Sequence, residues 1–491
     1  MKIAVIGAGP GGLAVSLLLL EAGFDVSLYE KDNVVGGRSQ RLSLGAYHFD
    51  TGPTFLMYIE VLKKVFERIG ENLEHVIKIT ALDPLYSLYT DHYQLTIRKD
   101  LSANSKSIDA LFPGSGAAYL QFLHDEEPRF NALDPIMTLP FKHPLNLLRK
   151  SILKARKYIN PKKSIDDRLK HYFKHEELRT MLSFQSKYLG MAPQEAPAFF
   201  TMLTYLEHVK GLYHVEGGLN QIHEAMKGLF IKKGGQLYLG TEIKKIHTHK
   251  RRVTKLTLAD DSERFYDLVV SNIDVSHMIN AVLETEASYT YTQETLKNMA
   301  YSLSTYNLYL GINRELPLEH HTFIFPKNYA ENAKKITKDY QLPDDYMFYL
   351  HAPSKLDSTL APKGHSSLYV LVPVPNNRSN IDWETEGENL RNLIIKTLES
   401  RFNIDNLEDS IVEEKSITPM DWEKDFNVYL GAVFNLSHRL NQMLYKRPQN
   451  AYNDVKNLYL VGGGTHPGSG LPTIYQSAIV TADLIIKKYK K

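Results

Sequence analysis

The first thirty residues contain the pattern that most restricts what this chain can fold into. An apolar run at residues 2–6 leads directly into Gly7-x-Gly9-x-x-Gly12, and a second apolar run ends at Glu30. A strand, a glycine turn, a helix and a second strand in this order predict a parallel α/β unit that binds a dinucleotide. Gly7 permits the tight turn, Gly9 lets the backbone approach a pyrophosphate, and Gly12 lets the helix pack on the strand.

Glu30 also discriminates among dinucleotides. A carboxylate at this position accepts hydrogen bonds from ribose hydroxyls and disfavours a 2′-phosphate, which indicates NAD or FAD rather than NADP. The N–H groups at the start of the preceding helix, with its positive dipole end, favour the pyrophosphate. The alternative is an ordinary glycine turn without a nucleotide, because GxGxxG alone is a weak signal.

A second glycine-rich turn lies in the last part of the sequence. Residues 457–461 predict a buried strand, Gly462 to Gly464 form a turn, and a helix is expected over about 473–488. Pro472 suits the first turn of that helix. The helix start is again suited to an anion or a dipole, and the alternative is a second nucleotide turn without a flavin. Because both turns suit one dinucleotide, they indicate one site built from distant parts of the chain.

Seven stretches together resemble one family. They are MKIAVIGAGPGGLA, YEKDNVVGGRSQ, FDTGPTFLM, PLYSLYTD, VEGGLNQIHEAM, SHRLNQMLYKRPQN and NLYLVGGGTHPGSGLP. The chain resembles the FAD-dependent family that includes amine oxidases, protoporphyrinogen oxidases and carotenoid desaturases. FDTGPT and THPGSGLP are similar to the bacterial carotenoid desaturases of the phytoene dehydrogenase type, in particular the diapophytoene (dehydrosqualene) desaturase branch. GSGLPTIYQSA departs from the best-known desaturases, which leaves the carotenoid and the extent of reaction open.

The resemblance implies FAD as the cofactor and extends the binding site. It places Gly37 and Arg38 at the flavin pyrophosphate, where the charge and donor fork of an arginine suit phosphate, with a solvated loop cation as the alternative. It places the turn at 52–54 near the flavin ring and the backbone of Ile243 at the adenine, with a plain strand residue as the alternative for Ile243. The predicted cofactor-binding residues are Gly7, Gly9, Gly12, Glu30, Lys31, Gly37, Arg38, Gly52, Pro53, Thr54, Ile243, Gly463, Gly464, Leu471 and Pro472.

The predicted elements divide the chain into two interleaved domains of an α/β protein. The first is a discontinuous Rossmann-type FAD-binding domain, formed by residues 1–95, 215–280 and 425–491. The second is an inserted α+β substrate domain with a membrane-associating helical region, formed by residues 96–214 and 281–424. Apolar runs at 305–312 and 367–375 predict strands of the inserted domain.

Residues 142–175 are strongly basic, with eleven lysine and arginine residues against two aspartates, although the whole chain has a formal charge of only +2. Leu145, Leu148, Ile152 and Ile159 fall near one helical face, which is typical of a helix lying on an anionic membrane surface. A solvated basic helix packed on the protein is the alternative. No nucleic-acid-binding module accompanies the segment, so nucleic acid is not an expected partner. The predicted membrane-contacting residues are Leu148, Ile152, Lys154, Arg156, Lys157, Lys162 and Lys163.

The amino-acid composition and the first apolar stretch indicate where in the cell the protein is expected. The sequence has no cysteine, which excludes disulfides, a thiol nucleophile and cysteine-ligated clusters, and fits a reducing cytosol. Residues 3–20 are uncharged, but their glycines and proline suit neither a signal peptide nor a lipid-spanning helix. We expect a cytoplasmic protein associated peripherally with the inner face of the membrane, from which a water-insoluble hydrocarbon passes directly to the active site.

The resemblance implies a desaturase of a long apolar polyene of the phytoene or 4,4′-diapophytoene class. Hydride transfer from an allylic carbon to flavin N5 and loss of the neighbouring proton would introduce each conjugated double bond, with oxygen or a quinone as terminal electron acceptor. His466 is the candidate that takes or relays the proton, although a histidine in such a loop more often hydrogen-bonds the backbone. Aromatic residues at 199–205 are candidates to line a tunnel, with core packing as the alternative.

Other function classes remain open at this point. Terminal-methyl oxygenation or carotenoid isomerisation would use the same cofactor, and a few proteins of this fold bind prenylated partners without flavin. The intact glycine motifs disfavour that last, non-enzymatic class. No metal site is predicted, because the candidate histidines lack a carboxylate partner at ligand spacing. These histidines are His247, His249, His320 and His321.

Overall fold

The computed structural model describes residues 1–141 and 143–490. Lys142, the first residue of the predicted basic segment, and Lys491, the last of the predicted FAD-binding domain, lie outside the described residues. The α-helices are Pro10–Glu21, Glu60–Arg68, Leu73–Val76, Leu101–Leu111, Gly116–Met137, Lys150–Ala155, Ile165–Lys170, Glu176–Met181, Met202–Tyr205, Asn220–Lys232, Val275–His277, Gln293–Asn298, Tyr329–Lys334, Trp383–Phe402, Pro419–Lys424 and Leu471–Tyr489.

A five-stranded parallel sheet brings distant parts of the chain together. In spatial order its strands are Gln236–Tyr238, Asp25–Tyr29, Lys2–Ile6, Leu268–Ser271 and Leu458–Leu460. The three central strands are almost wholly buried, as expected for a parallel sheet covered on both faces. The amino-terminal strands, a middle strand and a late strand therefore lie side by side in one sheet.

The two faces of this sheet are covered by different elements. Ile3 and Val5 of the central strand pack against a helical layer. Ala4 and Ile6, which alternate with them, pack on the other face. The helical layer consists of Pro10–Glu21, Glu60–Arg68, Asn220–Lys232 and Leu471–Tyr489. The other face is covered by an antiparallel sheet of the strands Ile243–His249, Arg252–Leu258 and Glu263–Arg264.

A seven-stranded mixed sheet forms the second large layer. In spatial order its strands are Ile411–Ile417, Ser304–Ile312, Ser366–Val374, Phe348–His351, His321–Ile324, Tyr86–Tyr89 and Gln94–Ile97. The long strands predicted at 305–312 and 367–375 are confirmed. Tyr86–Tyr89 lies in the predicted FAD-binding segment 1–95 and Gln94–Ile97 straddles its end, so the predicted boundary at residue 95 cuts through this sheet. The Trp383–Phe402 helix packs on one face of the sheet.

The remaining strands of the described residues form two small sheets. The first is an antiparallel pair, Arg41–Leu44 and Tyr47–Asp50. In the second, Leu212–Val215 pairs antiparallel with Leu56–Met57 on one side and with Ile79–Ala81 on the other. The Leu212–Val215 strand therefore leads the chain from the helical region back toward the five-stranded sheet.

The basic segment does not form the single amphipathic helix that its sequence predicts. A 3₁₀ turn at Pro144–Leu148, the short helix Lys150–Ala155 and another 3₁₀ turn at Arg156–Tyr158 follow one another. The backbone of Arg149 is extended, with φ −60° and ψ 141°, and this breaks the helical face.

The membrane-contacting role predicted for Ile152 is corrected by this arrangement. Ile152 is only 8% exposed and belongs to a buried core cluster, and Ile159 packs against the same cluster. Leu145, Leu148 and Leu153 are the exposed apolar side chains of the segment, at 66%, 66% and 51%. None of the helices in the described part of the chain is long and apolar enough to cross a bilayer.

Candidate active site

A cavity of about 2220 Å³, including space open to solvent, lies against both large sheets. Every predicted cofactor-binding residue except Gly12 lines it. The lining residues among them are Gly7, Gly9, Glu30, Lys31, Gly37, Arg38, Gly52, Pro53, Thr54, Ile243, Gly463, Gly464, Leu471 and Pro472. The two glycine-rich turns, which are far apart in the sequence, therefore meet in one cavity.

The first glycine turn leaves no room for side chains. A Cβ at Gly12 would lie 1.9 Å from the carbonyl oxygen of Gly7, so the helix and strand pack closely only with glycine there. Gly7 has a φ of +96°, in the region that favours glycine. A Cβ at Gly9 would lie 2.9 Å from the side-chain nitrogen of Asn272, which also donates to the Gly7 carbonyl at 3.3 Å. Gly12 is thus required by close packing and Gly7 by its backbone conformation, while a side chain at Gly9 would displace Asn272.

Two long helices begin at the cavity without a side-chain cap. Gly9 precedes the Pro10–Glu21 helix and Gly470 precedes the Leu471–Tyr489 helix, and neither helix has an acidic residue in its first turn. Pro10, Leu471 and Pro472 line the cavity. The free N–H groups and positive dipole ends of both helices are therefore available to a negatively charged or dipolar ligand, which fits a dinucleotide.

Glu30 lies at the end of the Asp25–Tyr29 strand with its carboxylate held by the backbone. One oxygen accepts from the Ala8 N–H at 2.7 Å and the other from the Asp32 N–H at 3.1 Å. Burial raises the pKa of Glu30, and these two N–H groups oppose that rise. Lys31 donates to the Asp425 carbonyl at 2.6 Å, so it joins this edge of the cavity to the segment before the last strand.

Arg38 is fixed in the cavity wall and is not a free loop cation. Its guanidinium donates to the Val433 carbonyl at 2.6 Å and to the side-chain oxygen of Asn435 at 3.1 Å. Asn435 in turn donates to the carboxylate of Asp274. Burial lowers the pKa of Arg38, while the nearby Asp274 carboxylate raises it. The solvated-loop alternative for Arg38 therefore does not hold.

His466 lies outside the residues that line the cavity. It is 2% exposed, one ring nitrogen is 2.9 Å from the Leu139 carbonyl oxygen, and its ring packs on Phe141. Burial lowers its pKa to about 4, so the ring is neutral and donates to that carbonyl. This is the backbone-bonding alternative noted above, and the placement does not favour the predicted proton transfer. The aromatic residues at 199–205 are likewise in the core and not in the cavity wall.

Lys187 is a cavity residue that the sequence did not single out. It lies in the 3₁₀ turn Phe184–Leu189, is 9% exposed, and has no hydrogen-bond partner for its amine within the described residues. The amine is 5.8 Å from the centre of the Phe323 ring. Burial lowers the pKa of Lys187 to about 7, so a neutral amine is accessible near neutral pH. A lone lysine in SFQSKYLG carries no pattern that would reveal this.

Comparisons with known proteins agree with the flavin cofactor that the cavity-lining residues indicate. Residues 10–486 match the family model for flavin containing amine oxidoreductases. The chain is 41% identical over 488 residues to the 4,4′-diapophytoene desaturase (4,4′-diapolycopene-forming) of Methylomonas sp, covering 99% of this chain and 96% of that protein. It is 32% identical over 489 residues to the zeta-carotene-forming phytoene desaturase of Myxococcus xanthus, covering 99% and 94%. A crystal structure of an oxidoreductase from Methanosarcina mazei shares the fold, with a TM-score of 0.66 at 17% identity over 98% and 99% of the two chains.

The chain therefore belongs to the flavin-containing amine oxidoreductase family. It is an FAD-dependent oxidoreductase of mixed α/β fold, and the resemblance to carotenoid desaturases is confirmed by its relatives.

We expect Glu30→Gln to weaken FAD binding, because an amide NH₂ would replace one of two oxygens that accept backbone N–H groups. Loss of a charged acceptor of this kind predicts about a ten-fold to hundred-fold weaker affinity. The FAD-to-protein ratio after gel filtration, read from visible and ultraviolet absorbance, measures it. Glu21→Gln, at an exposed ion pair with Lys233, is the control and should keep full FAD. Equal FAD content in the two variants would contradict the assignment of Glu30.

Proposed function

We propose that this enzyme desaturates a long apolar polyene of the phytoene or 4,4′-diapophytoene class. The observation that carries the proposal is one cavity in which the predicted FAD-binding residues adjoin an aromatic wall. When bound, FAD supplies the two-electron acceptor for removal of two hydrogens from adjacent saturated carbons. The names of the relatives, 41% and 32% identical over nearly the whole chain, support the same substrate class.

The proposed substrate region is the apolar part of the cavity wall. Aromatic faces and aliphatic side chains there exclude water and give a long hydrocarbon a surface to pack on. A dry site also protects a cationic polyene from attack by water during the reaction. The residues of this wall are Phe55, Met57, Tyr188, Phe323, Tyr349, Tyr369, Leu371, Trp422 and Phe426.

The FAD-binding roles given above are part of the proposal. The two helix starts and their glycine turns bind the pyrophosphate, Glu30 accepts from ribose hydroxyls, and Arg38 adds a fixed positive charge. We place the FAD-binding domain in residues 1–95, 215–280 and 425–491, with one exception. The strands Tyr86–Tyr89 and Gln94–Ile97 belong to the seven-stranded sheet and not to this domain. Oxygen or a quinone reoxidises the cofactor in this proposal.

Lys187 is the better candidate for the proton acceptor. A proton on carbon next to a delocalised cation is acidic, so a weak base in contact with the cavity suffices. Lys187 lines the cavity, has a pKa lowered to about 7 by burial, and makes no hydrogen bond that would occupy its amine in the part of the molecule described here. His466 does not line the cavity, and burial lowers its pKa to about 4. We therefore assign proton removal to Lys187 and a structural role to His466.

The desaturation rate should depend on pH through Lys187. Because only the neutral amine accepts a proton, kcat should rise as pH increases through about 7 and level off above it. Lys187→Met should lower kcat by about a hundred-fold or more and remove this limb of the profile. Lys363→Met, at an exposed lysine, is the control. A Lys187→Met enzyme with normal kcat and an unchanged pH profile would exclude the assignment.

The substrate class is tested by the pigment that the enzyme makes. Cells that express it with a synthase for 4,4′-diapophytoene or phytoene should accumulate a product absorbing at longer wavelength, because each desaturation extends the conjugation. An unchanged chromophore with a more polar end group would identify a terminal-methyl oxygenase. The same number of double bonds with altered geometry would identify an isomerase. Both of these results contradict desaturation.

We also propose that the enzyme binds peripherally to the cytoplasmic face of the membrane through the basic segment. Leu145, Leu148 and Leu153 are exposed there, next to exposed lysine and arginine side chains. Exposed leucines among cations suit the boundary between lipid headgroups and acyl chains. The basic residues concerned are Lys154, Arg156, Lys157, Lys162 and Lys163. Ile152 is not part of this surface.

Neutralising those five basic residues to glutamine should reduce sedimentation with anionic vesicles, since each cation near the surface contributes about 1 kcal/mol. The matched control removes the same charge from five exposed lysines elsewhere and should sediment normally. They are Lys232, Lys244, Lys327, Lys334 and Lys363. A variant with Leu145, Leu148 and Leu153 changed to serine should lose binding even in low salt. Wild-type sedimentation of both variants would show that another surface binds the membrane.

A further inference from the structure

Three buried histidines meet at a place that the FAD cavity does not reach. His214 lies in the Leu212–Val215 strand, His320 directly precedes the His321–Ile324 strand, and His351 ends the Phe348–His351 strand. They are 5%, 4% and 1% exposed, and one ring nitrogen of each lies within 4.8 Å of the others. None of the three lines the cavity. This histidine cluster joins two different sheets.

The cluster contains ring nitrogens that the protein leaves without a hydrogen bond. Both nitrogens of His320 and the Nε2 of His351 are buried and have no partner anywhere in residues 1–141 and 143–490. A buried polar nitrogen without a partner is costly, and native proteins rarely tolerate several together. A neutral imidazole has one lone-pair nitrogen and one N–H, so His320 has a lone pair that no described residue uses. The unpaired nitrogens therefore point to a ligand at this cluster.

His214 is oriented by a carboxylate. Its Nε2 is 2.9 Å from an oxygen of Asp357, and that oxygen also accepts from the Gly217 N–H at 2.6 Å. The second oxygen of Asp357 accepts from the Thr359 N–H and hydroxyl, at 3.0 and 2.6 Å. The carboxylate is thus held firmly by the loop and fixes the ring of His214. In most histidine-ligated metal sites, the ring nitrogen that does not bind the metal donates to a carboxylate, a backbone carbonyl or water.

We propose that His214, His320 and His351 bind a zinc ion, with Asp357 as the positioning residue of His214. Three neutral imidazoles without carboxylate or thiolate ligands suit zinc and other late first-row divalent cations, and do not suit magnesium or calcium. Zinc–nitrogen bonds of about 2.1 Å place ligand nitrogens about 3.4 Å apart, so modest side-chain rotations close the site.

The proposed zinc site is connected to the cavity through His321. The ring of His321 stacks on His351 with centroids 4.8 Å apart, and its Nδ1 is 2.8 Å from the hydroxyl of Tyr349. Tyr349 hydrogen-bonds Thr54, and both residues line the cavity. Zinc would therefore fix the end of the central strand of the seven-stranded sheet, which carries Tyr349. This role is independent of the substrate class proposed above.

Metal analysis of the full-length FAD-loaded enzyme tests the proposal directly. Protein purified from zinc-supplemented cells and dialysed against metal-free buffer should retain one zinc ion per chain by mass spectrometry. After chelation, cobalt(II) should restore one equivalent and give the visible d–d bands of a four-coordinate site with three nitrogen ligands. These measurements use the unmodified protein, so they do not depend on the folding of a variant. Substoichiometric zinc together with a cobalt spectrum of the hydrated ion would overturn the proposal.

Substitutions in the histidine cluster test whether the zinc ion binds there. His320→Gln and His351→Gln should lose the bound zinc, and Asp357→Asn should bind it about ten-fold to hundred-fold more weakly. His223→Gln is the matched control, because His223 is also fully buried with both ring nitrogens unbonded to any described residue but lies outside the cluster. Each variant's FAD content and thermal midpoint are recorded alongside, so that loss of zinc is read on folded protein. Full zinc in both cluster variants, or equal loss in His223→Gln, would exclude this site.

Discussion

The close contact between Gly12 and the carbonyl oxygen of Gly7 is the constraint on which the cavity depends. It allows the Pro10–Glu21 helix to lie directly on the central strand of the parallel sheet, with the helix start at the cavity. The Leu471–Tyr489 helix packs on that first helix and begins at the same cavity. Two positive helix ends in one place favour a negatively charged ligand, and the pyrophosphate of FAD has this charge.

The local sequence was sufficient to predict the two glycine turns and the strands and helices that flank them. The strand, glycine turn and helix at residues 2–21 and again at 458–489 are each encoded by contiguous residues. The cavity-lining residues at 30–54 belong to family motifs read in the same way. In these segments the conformational requirement of each position is set by its immediate neighbours, so the sequence pattern and the structure agree.

The features that the sequence did not predict depend on packing between distant segments. The apolar spacing of Leu148 and Ile152 fits one helical face, but the extended backbone at Arg149 and the core beneath Ile152 separate them. The boundary at residue 95 failed because the Tyr86–Tyr89 strand pairs in parallel with the His321–Ile324 strand. Lys187 acquires its low pKa from surroundings supplied by other elements. Periodicity along a chain contains none of this information.

The five-stranded sheet has a consequence for biogenesis. The Leu458–Leu460 strand pairs with Leu268–Ser271, which pairs with the first strand, and the residues that line the cavity include Gly463 and Leu471. During translation the first glycine turn leaves the ribosome hundreds of residues before the segment that completes its surroundings. Domains fold as units once their parts are present. The coenzyme is thus captured only late, when nearly the whole polypeptide has emerged, and an apoprotein intermediate with an incomplete nucleotide cleft precedes every finished molecule.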